Sequence, residues 1–169
     1  MYWLIYSSNK DVTIIPFHWA HPYHMDLRKF EREYFKMLPD YDDRLKMFAS
    51  GPHSYTALYK GEMSCCWGFT EMWSGVAEGW LLTTPLVEIT PISLTRSAIR
   101  VFNHIAIEMK LHRLQLVVDE RNDLAIRWAN ALKFKREGCL VGYGPDGSNH
   151  VMYARHYGRL VQNTKVTST

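Results

Sequence analysis

His18, His21 and His24 stand three apart, a spacing that on one continuous helix would align three imidazoles for a metal ion. Pro22 interrupts them, the stretch reads as a loop between a strand and a helix, and no cysteine or tight carboxylate motif accompanies it, so no metal is expected there. Cys65 and Cys66 are adjacent. Neighbours on a strand point to opposite faces, so these two cannot form a simple metal pair. Cys139 has no activating base beside it and reads as a small buried thiol. Two glutamates are better placed: Glu71 closes one predicted strand and Glu78 opens the next. Either can take a proton from an amine, directly or through water, or can simply be solvated. No Gly-x-Ser-x-Gly elbow, Walker loop or Gly-x-Gly-x-x-Gly occurs.

The elements that must position these groups follow from hydrophobic period and punctuation. Residues 12–17 form a β-branched run that Pro16 brings to an edge or an end, and residues 1–10 add a short strand or lead in. Leu27, Phe30 and Tyr34 recur at helical spacing and predict a helix over 24–38, stopped by Pro39, with a second over 42–49 stopped by Gly51-Pro52. Strands are expected at 54–60, 63–71 and 77–84, turned at Lys60-Gly61-Glu62 and at Ser74-Gly75. Thr90 is a cap and Pro91 a first helical residue for a helix running to about Lys110. A strand at 113–119 leads to a shorter helix opened by Asn122 or Asp123. A hairpin of 138–143 and 150–155 turns at Gly144-Pro145-Asp146-Gly147, and a polar tail from 158 is expected to be mobile. The order β-α-α-β-β-β-α-β-α-β-β contains one parallel βαβ crossover over 77–119 in an otherwise antiparallel sheet. The expected fold is α/β (α+β), one domain over 1–157 with helices on both faces of a mixed sheet.

Bulk properties narrow the partners. The 169 residues are 47% hydrophobic and 22% charged, as in a chain with a packed core. A net charge of +3, without a basic stripe, gives no nucleic-acid signature. No run approaches the ~20 apolar residues of a membrane span, and the apolar start Met1–Tyr6 lacks a basic flank. Three cysteines, an odd number, suggest reduced thiols in a cytosolic compartment. Six Trp and ten Tyr fit a ring-rich core, or a protein that docks into an assembly.

Leu114-Gln-Leu-Val-Val-Asp119, then Asn122, Ala125, Phe134 and Glu137-Gly138, resemble the distal half of the GNAT (acyl-CoA N-acyltransferase) superfamily. The Trp-centred strand at 77–84, a following helix without a glycine loop, and Ile126-Arg127-Trp128 after the Asn are more narrowly similar to small GNAT-like proteins of tailed phages, including an internal virion protein of short-tailed coliphages. The resemblance implies acetyl-CoA as cofactor if the chain is active, held between the central strands at 81–83 and 116–118. Leu82, Thr83 and Asn122 would then lie at the cofactor, Arg96 on a phosphate, Glu78 as base and Tyr143 as acid. It also implies that the histidine loop lines an acceptor groove for an amine. In the narrower resemblance the partners are proteins of a virion and the location is the host cytoplasm or the particle.

The departures from that pattern concern the chemistry. Active members carry a loop of the type Gln/Arg-x-x-Gly-x-Gly/Ala whose amides hold a pyrophosphate. Here Glu88 stands for the Gln/Arg, Pro91 for the first Gly and Ser93 for the second. Proline removes a donor and a carboxylate repels phosphate. Arg96, with Arg100 a turn later, can compensate or be solvated. The family's acidic Tyr, seven residues after the Asn, is Ala129 here, and Lys133 stands where Gly precedes Phe134; Tyr143 or Tyr153 would have to serve as acid instead. The leading expectation is therefore a GNAT-fold protein without transfer chemistry, acting as a virion-associated or binding component. The other is an active N-acyltransferase with a divergent loop.

Overall fold

The computed structural model of the chain describes residues 10–89 and 91–158, the side chains of 91–94, 96 and 97 excepted. In order, the elements are β1 (Val12–Pro16), α1 (Lys29–Lys36), α2 (Tyr41–Ser50), β2 (Ser54–Tyr59), β3 (Glu62–Trp73), β4 (Val76–Thr83), α3 (Pro91–Glu108), β5 (Arg113–Asp119), α4 (Asp123–Ala131), β6 (Lys135–Leu140) and β7 (His150–His156). Single 3-10 turns lie at His21–His24 and Pro85–Glu88. The strands form one mixed, mostly antiparallel sheet in the order β1-β2-β3-β4-β5-β7-β6. Its parallel pair is β4 with β5, in register from Val76↔Arg113 to Glu78↔Gln115, with α3 as the crossover. The α/β order expected from sequence is the one observed. No described helix is long and apolar enough to cross a membrane. The expectations for residues 1–9 and for the tail beyond Gly158 lie outside the described residues.

Contacts divide the chain into two compact units. Of the described residues, one holds 10–70 with 80–97; the other holds 71–79 with 98–158. In the first, Phe17, Met25, Leu27, Leu45, Cys66 and Leu82 form a buried cluster, and Phe48 stacks on Trp80 with centroids 4.3 Å apart. Its β2–β3 turn places Lys60 at φ 50° and Gly61 at φ 86°, the two left-handed residues of a tight hairpin. In the second, Ile105, Leu111, Leu114, Phe134 and Tyr153 are buried.

Helices α3 and α4 end alike. Lys110 (φ 53°) follows α3 and Lys133 (φ 68°) follows α4, each left-handed. Beyond each, a buried apolar residue sends its N–H back into the last turn: Leu111 to the Ala106 carbonyl at 2.7 Å, Phe134 to the Ala129 carbonyl at 3.0 Å. This is the Schellman closure, normally made with glycine. Lys133 thus holds a left-handed conformation that glycine adopts more readily.

Two boundaries differ from expectation. The helix expected over 24–38 is shortened to Lys29–Lys36, because Met25 and Arg28 are extended at ψ 135° and ψ 149°. Leu27 and Met25 still face the core, but on an extended segment whose Arg28 N–H donates to the Thr83 carbonyl at 3.0 Å. The last hairpin starts earlier than expected, at Lys135. A bulge between Arg136 and Gly138 leaves Glu137 as the extra residue of β6, and Tyr143 lies beyond the strand.

Candidate functional site

In the first unit the relevant feature is the end of β4. Thr84 N–H donates to the Ser64 carbonyl of β3 at 2.9 Å. Successive residues of a strand present their backbone groups to opposite edges. The Thr83 carbonyl therefore belongs to the edge away from β3, and there it accepts the Arg28 N–H at 3.0 Å. The Thr83 hydroxyl, 3% exposed as a residue, donates to Glu31 Oε1 at 2.6 Å. Glu31 Oε2 is buried without a hydrogen-bond partner. Leu82, named beside Thr83 as a cofactor residue, lies 1% exposed in the apolar cluster.

The connection from β4 to α3 is closed on itself. Thr84 Oγ1 caps it by accepting Leu86 N–H at 3.3 Å, the Thr84 carbonyl accepts Val87 N–H at 3.3 Å, and the Leu86 carbonyl accepts Ile89 N–H at 3.2 Å. Pro85 brings no N–H. The Glu88 side chain is 57% exposed and lies 3.7 Å from Arg28 Nε. A loop that cradles a pyrophosphate needs several amides aimed outward together and a positive local field. This connection directs three of its amides to its own oxygens and adds a carboxylate. The described residues of this connection, 84–89, do not supply a set of outward amides for a CoA pyrophosphate. Arg96 falls among the side chains outside the description, and Arg100 is exposed on α3.

In the second unit, Glu78 is half-buried at the last registered pair of the parallel ladder, and its Oε2 accepts from Gln115 Nε2 at 2.9 Å. Gln115 Oε1 accepts from Arg113 Nε at 3.0 Å, and Arg113 clamps Glu137 through two nitrogens at 3.0 and 2.7 Å. That clamp, with a smaller contribution from His156, holds the Glu137 carboxyl below its ordinary range. Asn122 caps α4, its Oδ1 accepting the Ala125 N–H at 3.2 Å. Ala129, at the family's acid position, is 1% exposed. Tyr143 is 54% exposed, its ring tilted against His150 with centroids 5.3 Å apart. Tyr153, the other candidate acid, is 3% exposed.

Sequence reasoning passed over one cluster. The Asp119 side chain, 2% exposed, receives Arg121 Nε at 3.0 Å, Arg121 Nη2 at 2.6 Å and Ser148 Oγ at 3.2 Å, and Arg121 Nη2 also reaches Asp146 at 2.9 Å. Burial pushes the Asp119 carboxyl up, but the Arg121 bonds and charge, with Ser148, outweigh it and leave the group lowered. The ends of a strand and a turn are tied by one guanidinium. The only signal in sequence was an Asp-x-Arg at a strand end and an Asp in a Gly-Pro-Asp-Gly turn.

The thiols offer no nucleophile in the first unit. Cys65 and Cys66 are buried, and burial pushes both up to about 12. Cys139, expected buried, is exposed. Among the described residues no three His, Cys, Asp or Glu side chains converge as a metal would need.

The sequence matches no protein-family model and no curated protein. Its structure is similar to solved GNAT-family acetyltransferases. A GNAT-family acetyltransferase from Bacillus anthracis is 17% identical with a TM-score of 0.64, over 87% of this chain and 95% of that one. Ard1 from Thermoplasma volcanium gives 16%, a TM-score of 0.68, and 86% and 97% coverage. RimL, a ribosomal L7/L12 alpha-N-protein acetyltransferase in complex with coenzyme A, gives 15%, 0.64, and 88% and 95%. At these identities the fold is shared: this chain has the GNAT fold.

Proposed function

We propose that this chain is a GNAT-fold protein that works as a binding component without CoA-dependent transfer, its partner another protein, in the setting of a tailed-phage particle. The observation that carries this is the end of β4. The edge carbonyl of Thr83 is taken by Arg28 and the connection's amides by its own oxygens. Glu88 adds negative charge at the same place. The phage setting rests on the narrower resemblance of the sequence.

A second reading is an acyl-CoA-dependent N-acetyltransferase with a divergent loop, acting on an amine. The activities named for the structural neighbours favour it, RimL in its complex with coenzyme A above all. So does Glu78, a half-exposed carboxylate at the end of the parallel ladder. This reading keeps Glu78 as base and Tyr143 as acid.

Urea unfolding with and without acetyl-CoA separates the two. Ligand at 100 times its dissociation constant adds ~2.7 kcal/mol to stability. The first reading expects an unchanged midpoint at millimolar acetyl-CoA; a shift of that size supports the second.

A further inference from the structure

The β6–β7 loop places glycine after aspartate, at Asp146-Gly147. An open Asp-Gly pair reacts with itself. The Gly147 nitrogen attacks the neutral Asp146 carboxyl at Cγ, and a C–N bond forms. The N–H proton and the carboxyl's hydroxyl leave together as water, and a five-membered succinimide remains. Water then adds to one of its two carbonyls. Opening at Cγ restores aspartate; opening at the backbone carbonyl leaves the chain running through Cγ, an isoaspartate. Glycine favours the reaction because it brings no side chain to shield the nitrogen and adapts its backbone freely. Around Gly147 the space is open, with nothing within 4 Å of where a Cβ would stand.

We propose that Asp146-Gly147 is a latent isoaspartate site, held unreactive by the fork of Arg121. The folded loop takes both reacting groups out of play. Asp146 Oδ2 accepts from Arg121 Nη2 at 2.9 Å, and Oδ1 accepts the Ser148 N–H at 3.1 Å. Both oxygens are engaged as those of a carboxylate, which is a poorer electrophile than the neutral acid and has no hydroxyl to release. The nucleophile is engaged as well: the Gly147 N–H donates to the Gly144 carbonyl at 2.9 Å. The Gly144 N–H donates to the Ser148 carbonyl at 2.9 Å and closes the loop on itself. In keeping with this, Ser148 and then Arg121 hold the Asp146 carboxyl well below the usual carboxylate range.

Arg121 is anchored for this task by the end of β5. Its Nε and Nη2 also bind the buried Asp119 at 3.0 and 2.6 Å, so the guanidinium cannot swing out without leaving that carboxylate short of a partner. Ser148, next after Gly147, is pinned to the same carboxylate through its Oγ at 3.2 Å. The reactive pair is thus held from both sides by residues tied to Asp119. Isoaspartate would lengthen the backbone there by one methylene and move the free carboxylate onto Cα. Neither the Arg121 bond nor the Ser148 amide bond would keep its present geometry, so one isomerisation would untie the loop from β5.

The test is the isoaspartate content of the tryptic fragment 137–155, read by mass spectrometry with electron-based fragmentation after incubation of the whole chain at pH 5. The native chain, Arg121→Ala and the isolated fragment are followed together, with circular dichroism to show that the two chains stay folded. Isoaspartate should form about tenfold faster in Arg121→Ala than in the native chain, as loss of one hydrogen bond to a charged group predicts. The free fragment sets the unguarded rate, and the native chain should lie far below it. If Arg121→Ala does not stay folded, Arg121→Lys, a single ammonium in place of the fork, is read in its stead and should also form isoaspartate faster than the native chain. Equal rates in the native chain and the folded Arg121 variant, or in the native chain and the free fragment, would overturn the proposal.

Discussion

The β4–α3 connection and the β5–α4 corner invite comparison, because both lie where the GNAT pattern is most specific and they have fared differently. At β5–α4 the residues that resemble the GNAT pattern each do a folding job. Asn122 caps α4, and Glu137 clamps Arg113. Lys133 there holds a left-handed backbone that closes α4. At β4–α3 the pattern's ligand-holding positions fall on Glu88, Pro91 and Ser93, and the amides of Leu86, Val87 and Ile89 are satisfied within the connection. The β5–α4 corner is held by side chains, the β4–α3 connection by bonds within its own turn. Fold and chemistry can part in this way because a fold's caps and cores are needed whatever it binds.

The comparison can be broken at several points. The largest effect should come from Arg121→Ala in the second unit, which leaves the buried Asp119 carboxylate with weaker partners. We expect the largest loss of stability of this set in urea denaturation, though less than for a fully buried pair because the Arg121 side chain is half exposed. Asp119 is held below its ordinary 3.8, so its contribution is present above that value and is lost as pH falls through the lowered one. The variant should therefore also lose part of the native chain's acid sensitivity below pH 3.8.

In the first unit, Thr83→Val removes the hydrogen bond to Glu31 Oε1 and leaves the carboxylate half-buried without it, for a loss of about 2 kcal/mol by the same measurement. If Thr83→Val instead leaves stability unchanged, the strap from α1 to β4 is not holding. Asn122→Ala should destabilise by ~1 kcal/mol through the lost cap. Lys133→Gly should stabilise by a similar ~1 kcal/mol, since glycine takes the left-handed conformation without strain. Smallest of all, Glu88→Gln should change stability by less than ~0.5 kcal/mol, because its contact with Arg28 is long and exposed.

Much of this fold was legible in the sequence because its signals are local. Pro91, Asn122, Lys60-Gly61 and the apolar stripe of α3 each act within a turn or two, and the element order followed from them. The segment at 24–28 was misjudged for the opposite reason. Leu27 and Phe30 carry helical spacing, but the Arg28 N–H is claimed by Thr83, more than fifty residues away, and no local pattern announces that. The bulge at Gly138 was hidden likewise, since it exists only in the register with β7. For the site, substitution at Glu88 and Pro91 could be read directly, whereas the closure of the connection on Thr84 and the Arg121–Asp119 tie needed three dimensions.

The central claim is that the end of β4 is occupied by the chain itself. Isothermal titration of the purified protein with CoA and with acetyl-CoA tests it most directly. The account predicts no binding heat beyond dilution at ligand concentrations up to ~1 mM, where even a weak −4 kcal/mol complex would begin to form. A micromolar dissociation constant for either ligand would contradict it, and would mean that the connection opens to hold a pyrophosphate after all.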